Sequence, residues 1–145
     1  MSERAVEFPP SPRLLEAAFQ ARERAYAPYS KFRVGAALED SEGRIYTGCN
    51  VENASYGATI CAERSAVAAM VAAGDRDPIA CAVVTAGPRP GAPCGVCRQV
   101  LSEFARDLVI VLVAEDSRGT VASRRRVRLR ALLPDVFRLP RRKTR

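Results

Sequence analysis

Two apolar runs constrain this chain more than any other feature. PIACAVVTA (78–86) reads as a short buried strand, and LVIVLVAED (108–116) is a β-branched run expected to form a central strand. A strand apolar on both sides needs both faces of its sheet covered. Between the runs lies CGVCRQVLSEFARD (94–107), which has the spacing of a helix. Strand, helix and strand in that order make a crossover unit, and its hand should be right.

The remaining segments extend this frame. SPRLLEAAFQARERAYAP (11–28) predicts a first helix with Ser11 as N-cap and Pro12 in the first turn; Leu15, Ala18, Phe19 and Arg22 recur at helical spacing and Pro28 stops it. FRVGAALED and IYTGCNV, joined by the turn SEGR, read as a hairpin. TICAERSAVAAMVAAG (59–74) is an Ala-rich helix ended by Gly74 and too apolar to lie on an exposed surface. TVASRRRVRLRA is expected to be a basic edge strand, and LLPDVF (132–137) to close the core. The expected fold class is α/β, a mixed sheet with helices on both faces.

A chain of 145 residues with 48% hydrophobic content fits one domain, and no repeat is visible. The reading divides it into a domain over 1–137 and a basic tail over 138–145. Residues 122–145 hold ten of the 23 lysines and arginines against one acid, Asp135, so the net charge of +7 belongs to the C-terminal end. Such a segment contacts anions or simply keeps the protein in solution. MSERAVEFPP lacks the apolar run of a signal peptide, and no segment approaches the roughly 20 apolar residues of a membrane span, so no membrane partner is expected. The expected compartment is the cytoplasm, where thiols stay reduced. There, five cysteines and no histidine point to metal binding or catalysis rather than a disulfide framework.

Cys94 and Cys97 share one face of a first helical turn, where free N–H groups and the helix dipole favour thiolates. Cys61 stands at the start of the preceding helix. If the two helix starts converge, three thiolates meet, and three protein ligands on zinc leave a fourth position open, as in catalytic sites. Alone, the C-x-x-C pair is equally compatible with a redox couple or half of a structural site. A closed four-cysteine site would need Cys49 or Cys81, which both fall in strands, where a buried apolar role is commoner. Glu63, two residues after Cys61, reaches a water at the open position only if Cys61 is the non-helical N-cap. Otherwise it is an acid of the kind favoured in any first turn. The combination C-A-E and, some thirty residues on, P-C-x-x-C matches the signature of zinc nucleobase deaminases, with cysteine as the first ligand.

From Pro28 to Phe104 the sequence resembles the small cytidine deaminases that act on free nucleosides. The matching runs are PYSKFRVGAAL, GRIYTGCNVENASYGATICAERSAV and PCGVCRQVLSEF, with LLPDVF a weaker match. The resemblance implies a three-layer α/β/α sandwich around a mixed, roughly five-stranded sheet. It also implies hydrolytic deamination of cytidine and 2'-deoxycytidine in pyrimidine salvage, and a homotetramer with shared active sites. By the same resemblance one zinc ion per chain is held by Cys61, Cys94 and Cys97, and Glu63 is the proton shuttle. Asn50 and Glu52 would hold the ribose, Phe32 would pack on the pyrimidine, and the Ala62 N–H would meet the base carbonyl. Tyr56 and Phe137 would reach a neighbouring subunit's site, and Arg64 would donate to the thiolates. Arg98 is either a similar donor or a surface salt-bridge partner.

Without the surrounding pattern NVEN would be a polar turn, and Phe32 and Phe137 core residues. Three rival functions remain. Deamination of another cytosine nucleoside is opposed by the NVEN motif. Polynucleotide editing is opposed by the lack of Trp and 6% aromatic content, since strand binding relies on stacking. A zinc-stabilised nucleic-acid module leaves Glu63 and the open metal position without a purpose, so nucleic acid is not the expected partner.

Overall fold

The computed structural model of the protein describes residues 10–141. The leader reading of residues 1–9 and the last part of the basic tail, 142–145, lie outside the described residues. The elements are α1 (Pro12–Glu23), β1 (Gly35–Asp40), β2 (Ile45–Cys49), α2 (Ala62–Ala72), β3 (Pro78–Ala86), α3 (Gly95–Phe104), β4 (Val109–Glu115), β5 (Val121–Arg128) and the short α4 (Leu129–Leu132). A 3-10 turn at Tyr56–Ala58 precedes α2.

The five strands lie in the order β2-β1-β3-β4-β5. β3 and β4 are parallel, registered from Ala80 opposite Val109 to Ala86 opposite Glu115, with α3 as their crossover. The other pairs are antiparallel. β3 is the middle strand, and β4, formed by LVIVLVAED, lies beside it as an interior strand, as expected. Each has strands on both sides and both faces covered, so their apolar patterns are alike and cannot rank them. β5 is the expected edge, with Arg124, Arg125 and Arg126 exposed, a composition that discourages edge-to-edge pairing.

Alternation along β3 separates the two cores. Ala80, Ala82 and Val84 face α1, packing with Leu14 and Ala18. Cys81 and Val83 face α2 and α3, packing with Ala62, Ala66, Met70, Leu101 and, from α4, Leu129. This is an α/β/α sandwich. The apolar α2 is thus covered by the sheet below and by α3 beside it.

Two local expectations change. In α1, Ser11 caps the Leu14 N–H at 3.2 Å, as the sequence predicts, but the helix ends at Glu23 rather than near Pro28. Beyond it the Tyr26 N–H donates to Asn50 O at 3.0 Å and Tyr26 O accepts from the Glu52 N–H at 2.8 Å, so this backbone is committed to a bridge. The face α1 buries is Leu14, Ala18 and Ala21, with Leu15 and Phe19 flanking it. Arg22 lies outside that face, ion-paired with Glu115. LLPDVF closes the core only through Leu132, which packs against it while half-buried. Leu132, Leu133 and Val136 are half-buried and Phe137 is 67% exposed, while the preceding Leu129 fills the core position. Pro134 lacks an N–H and favours extended backbone before it, which ends α4 after one turn.

The β1–β2 hairpin carries a buried acid, Asp40. Burial alone would raise its carboxyl, but Arg44 donates to it from Nε at 2.6 Å and from its N–H at 2.8 Å. With hydrogen bonding to Asp75 and the Glu42 N–H, this brings it down to about 2. A depressed carboxylate stabilises the fold above its unfolded value and loses that contribution as pH falls through the folded one. Between about pH 4 and pH 2 the melting temperature should fall more steeply for the native protein than for Asp40→Asn, which should be the less stable at pH 7. Parallel acid limbs would show that Asp40 contributes nothing.

Candidate metal centre and adjoining pocket

The layer above the sheet brings two helix starts together. Cys61 is the N-cap of α2, with extended backbone at φ −73° and ψ 154°, and Cys94 is the N-cap of α3 at φ −65° and ψ 168°. Neither caps its helix through the side chain, so both thiols are free to turn to a common point. Cys97, on the first turn of α3, completes the group. The three Sγ atoms lie within 4.8 Å of one another. Cys49 and Cys81 are not in the group. Cys81 is wholly buried in the core and burial pushes its thiol up, the behaviour of an apolar residue.

The donor set fits zinc. Cys61 Sγ and Cys94 Sγ are 3.8 Å apart, the spacing of two thiolates about 2.3 Å from one tetrahedral ion. The Cys97 thiol's hydrogen bond pulls Cys61 down to about 5; burial opposes this, and Arg64 and Cys94 assist it. The cost falls on Cys97, whose thiol is pushed up by that same hydrogen bond, by burial and by Glu63. One thiolate forms readily, and a second beside it is unfavourable without a cation. A divalent ion with soft-ligand preference resolves the conflict.

Arg64 is set against this cluster. Its Nη2 donates to Thr59 O at 3.0 Å and approaches Cys61 Sγ at 3.9 Å. Its Nε is buried without a partner among the described residues, which suits a donor waiting for a fully ionised sulfur. Removing such an outer donor typically costs 10- to 100-fold in metal affinity. Arg64→Ala should therefore lose zinc to a chelator at about 10-fold lower concentration or less; an unchanged chelator titration would end the charge-compensation role. Arg98 takes neither expected role. Its Nε donates to Pro93 O at 2.7 Å and its Nη1 to Leu132 O at 2.9 Å, tying the approach to Cys94 to the end of α4.

Glu63 is 5% exposed. Its Oε2 lies 3.7 Å from Cys97 Sγ. The N-cap geometry of Cys61 is what lets residues 61 and 63 serve one centre; mid-helix, i and i+2 face apart. Burial pushes the Glu63 carboxyl up; its own N–H opposes this and the Cys61 thiolate adds to it.

A cavity of about 300 Å³ opens over the centre, lined by Cys61, Ala62, Glu63 and Cys94 at one end and by Phe32, Asn50 and Glu52 at the other. The helix leaves the Ala62 N–H without an intrahelical acceptor at that wall. Asn50 and Glu52 also hold the loop that carries Phe32. Asn50 Nδ2 donates to Phe32 O at 2.7 Å and its Oδ1 accepts from the Val34 N–H at 2.8 Å. Glu52 Oε1 accepts from the N–H groups of Tyr29 at 3.0 Å and Ser30 at 3.1 Å. Burial would raise the Glu52 carboxyl, but the hydrogen bonds from Ser30 and Tyr29, with Lys31 nearby, hold it below its ordinary value. The loop needs this support because Lys31 has φ 59°, a left-handed conformation that is costly for a side-chain-bearing residue.

Tyr56 and Phe137 line no part of this pocket and are 83% and 67% exposed. Gln99 Nε2 on α3 fixes the latter by donating to Phe137 O at 2.9 Å. The sequence reasoning missed Thr85 and Gly91. The Thr85 hydroxyl accepts from the Gly91 N–H at 2.9 Å, and a Cβ at Gly91 would stand 3.1 Å from the Thr85 methyl. Both line the pocket. The only sequence signal was a turn-rich GPRPGAP, which does not say what the turn packs against.

Comparison with known proteins agrees with this geometry. The family model described as "Cytidine and deoxycytidylate deaminase zinc-binding region" matches residues 11–113. The cytidine deaminase of Mycobacterium tuberculosis is 43% identical over 120 residues, 83% of this chain and 84% of that protein. That of Halalkalibacterium halodurans is 54% identical over 91 residues, 63% and 69% respectively. Among solved structures, the cytidine deaminase from Burkholderia pseudomallei superposes with a TM-score of 0.76 at 50% identity, covering 86% of this chain and 97% of that one.

Proposed function

The chain belongs to the zinc-binding cytidine and deoxycytidylate deaminase family, and from that premise we propose that it hydrolyses cytidine and 2'-deoxycytidine to the uridine nucleosides and ammonia. The observation that carries this reading is the buried Glu63 carboxylate beside three thiols, at the floor of a pocket whose other end holds Asn50 and Glu52.

Cys61, Cys94 and Cys97 would hold the zinc, which would supply a water readier to give up a proton near neutral pH. Glu63 takes that proton and hands it to the ring nitrogen N3, which makes C4 open to attack by the water oxygen. The carboxylate then takes the proton of the new C4 hydroxyl and delivers it to the amino group, the C4–N bond breaks, and ammonia leaves with a carbonyl at C4. Burial favours this work, because it pushes the Glu63 carboxyl up and makes it readier to hold a proton between the two transfers. The Ala62 N–H receives the base carbonyl, Phe32 lies on the ring, and the free Glu52 oxygen with Asn50 receives the ribose. Arg64 steadies the thiolates.

The active chain is a homotetramer, one deaminase domain per subunit over residues 1–137, with Tyr56 and Phe137 completing a neighbour's pocket. Their exposure, beside Tyr26, Tyr29, Val51 and Ile60, which are also exposed, supports a covered surface. The thiol ligand set suits a reducing cytoplasm, and the product suits pyrimidine salvage. No helix among the described residues is long and apolar enough to cross a membrane.

The test is ammonia release from cytidine and deoxycytidine by metal-analysed protein, with light scattering on the same sample. Turnover with about one zinc per chain is expected. A folded, zinc-loaded protein that releases no ammonia from either nucleoside would overturn the reading.

A further inference from the structure

A second cavity lies away from the thiols. α2 and α3 both start at the metal centre, and their far ends, about 15 Å along, border a cleft of about 860 Å³. Four arginines line it: Arg76 after α2, Arg106 after α3, and Arg138 and Arg141 from the C-terminal segment, against the two carboxylates of Asp77 and Glu103.

Cations near helix C-termini are ordinary, because they meet the last carbonyls and the negative end of the dipole. Arg138 and Arg141 do this, donating to Ser102 O at 3.3 Å and Glu103 O at 3.4 Å, with Arg141 also 3.8 Å from the Glu103 carboxylate. Arg76 and Arg106 do not. Among the described residues neither guanidinium has a hydrogen-bond or ion-pair partner. The cleft thus gathers more positive charge than the helix ends require. Phe104, half-buried, and Leu139, 73% exposed, give it an apolar wall.

Guanidinium forks suit phosphate groups, two of whose oxygens accept parallel N–H bonds from one arginine. We propose that this cleft binds the polyphosphate chain of a nucleoside di- or triphosphate, with Arg76 and Arg106 as principal donors and the Phe104–Leu139 wall beside the base. The site is separate from the deaminase pocket and does not depend on the function proposed for it.

The test is calorimetric titration of the full, zinc-loaded chain with CTP and with inorganic tripolyphosphate at about 0.15 M salt, where diffuse surface attraction is largely screened. Arg76→Gln with Arg106→Gln should weaken binding by about tenfold or more, the loss expected for two charge-assisted contacts. Arg124→Gln with Arg125→Gln, an equal charge change on the exposed β5 edge, should alter it by less than about twofold. All four residues are exposed, so melting temperatures should hold and a folding defect would be visible separately. Selective loss with either probe supports the site, and tighter CTP than tripolyphosphate supports the apolar wall as the base contact. Undetectable binding to both probes, or equal loss in the two double variants, would overturn it. So would a single-stranded oligonucleotide that binds far more tightly than either with a steep salt dependence, which would make the cleft part of a nucleic-acid surface.

Discussion

Glu63→Gln is expected to keep its fold and its zinc while losing turnover by about 100- to 10,000-fold, the contribution of a positioned acid–base group. The amide has the shape of the carboxyl but can neither accept the water proton and pass it to N3 nor deliver the second proton to the amino group. Because Glu63 is 5% exposed, no solvent base replaces it in place. Its carboxylate is not among the three thiol ligands, so metal content should stay near one per chain. Ammonia release and metal analysis on one preparation separate the cases. An active, zinc-replete variant would remove Glu63 from the mechanism, whereas loss of zinc would make it a structural support of the centre.

The second large effect comes from a residue far less conspicuous in the sequence. Gly48 of β2 lies beneath the first turns of α2, and a Cβ there would stand 2.3 Å from Ala66 N and 2.4 Å from Ala62 O. These are backbone atoms and cannot rotate away. Gly48→Ala must push the start of α2 off the sheet, and that turn carries Cys61 as N-cap and Glu63 on its first turn. Overpacking of this kind costs about 1–3 kcal/mol, occasionally more, and here the displacement falls on one of the three clustered thiols proposed to hold zinc. The variant should melt lower and release zinc at lower chelator concentration. Gly57→Ala, where nothing lies within 4 Å of the added carbon, should do neither. If the two variants behave alike, close approach of β2 and α2 does not position the centre.

Several elements were legible because a single residue type fixed them locally. Ser11 and Pro12 set the start of α1, and Gly74, with φ 89°, follows the end of α2 as its left-handed stop. The nine residues of PIACAVVTA form β3 without a shift. Errors arose where a segment's partner was remote. The end of α1 was set by Tyr26 pairing with Asn50 and Glu52, more than twenty residues away.

The site divides along the same line. The sequence by itself determined the ligand chemistry, since C-A-E and P-C-x-x-C put three thiols and one carboxyl at helix starts whatever the helices pack against. It also carried the resemblance that suggested a substrate. Only the tertiary structure decided that the two helix starts meet, that Asn50 and Glu52 support the Phe32 loop as well as line the pocket, that Arg98 holds backbone rather than sulfur, and that four arginines gather at the far end of the same two helices. Backbone conformation depends on neighbours a few residues away, so sequence spacing can state it. Convergence depends on how β2 and α2 approach across Gly48 and how α3 crosses between β3 and β4, contacts between residues distant in the chain that no local pattern encodes.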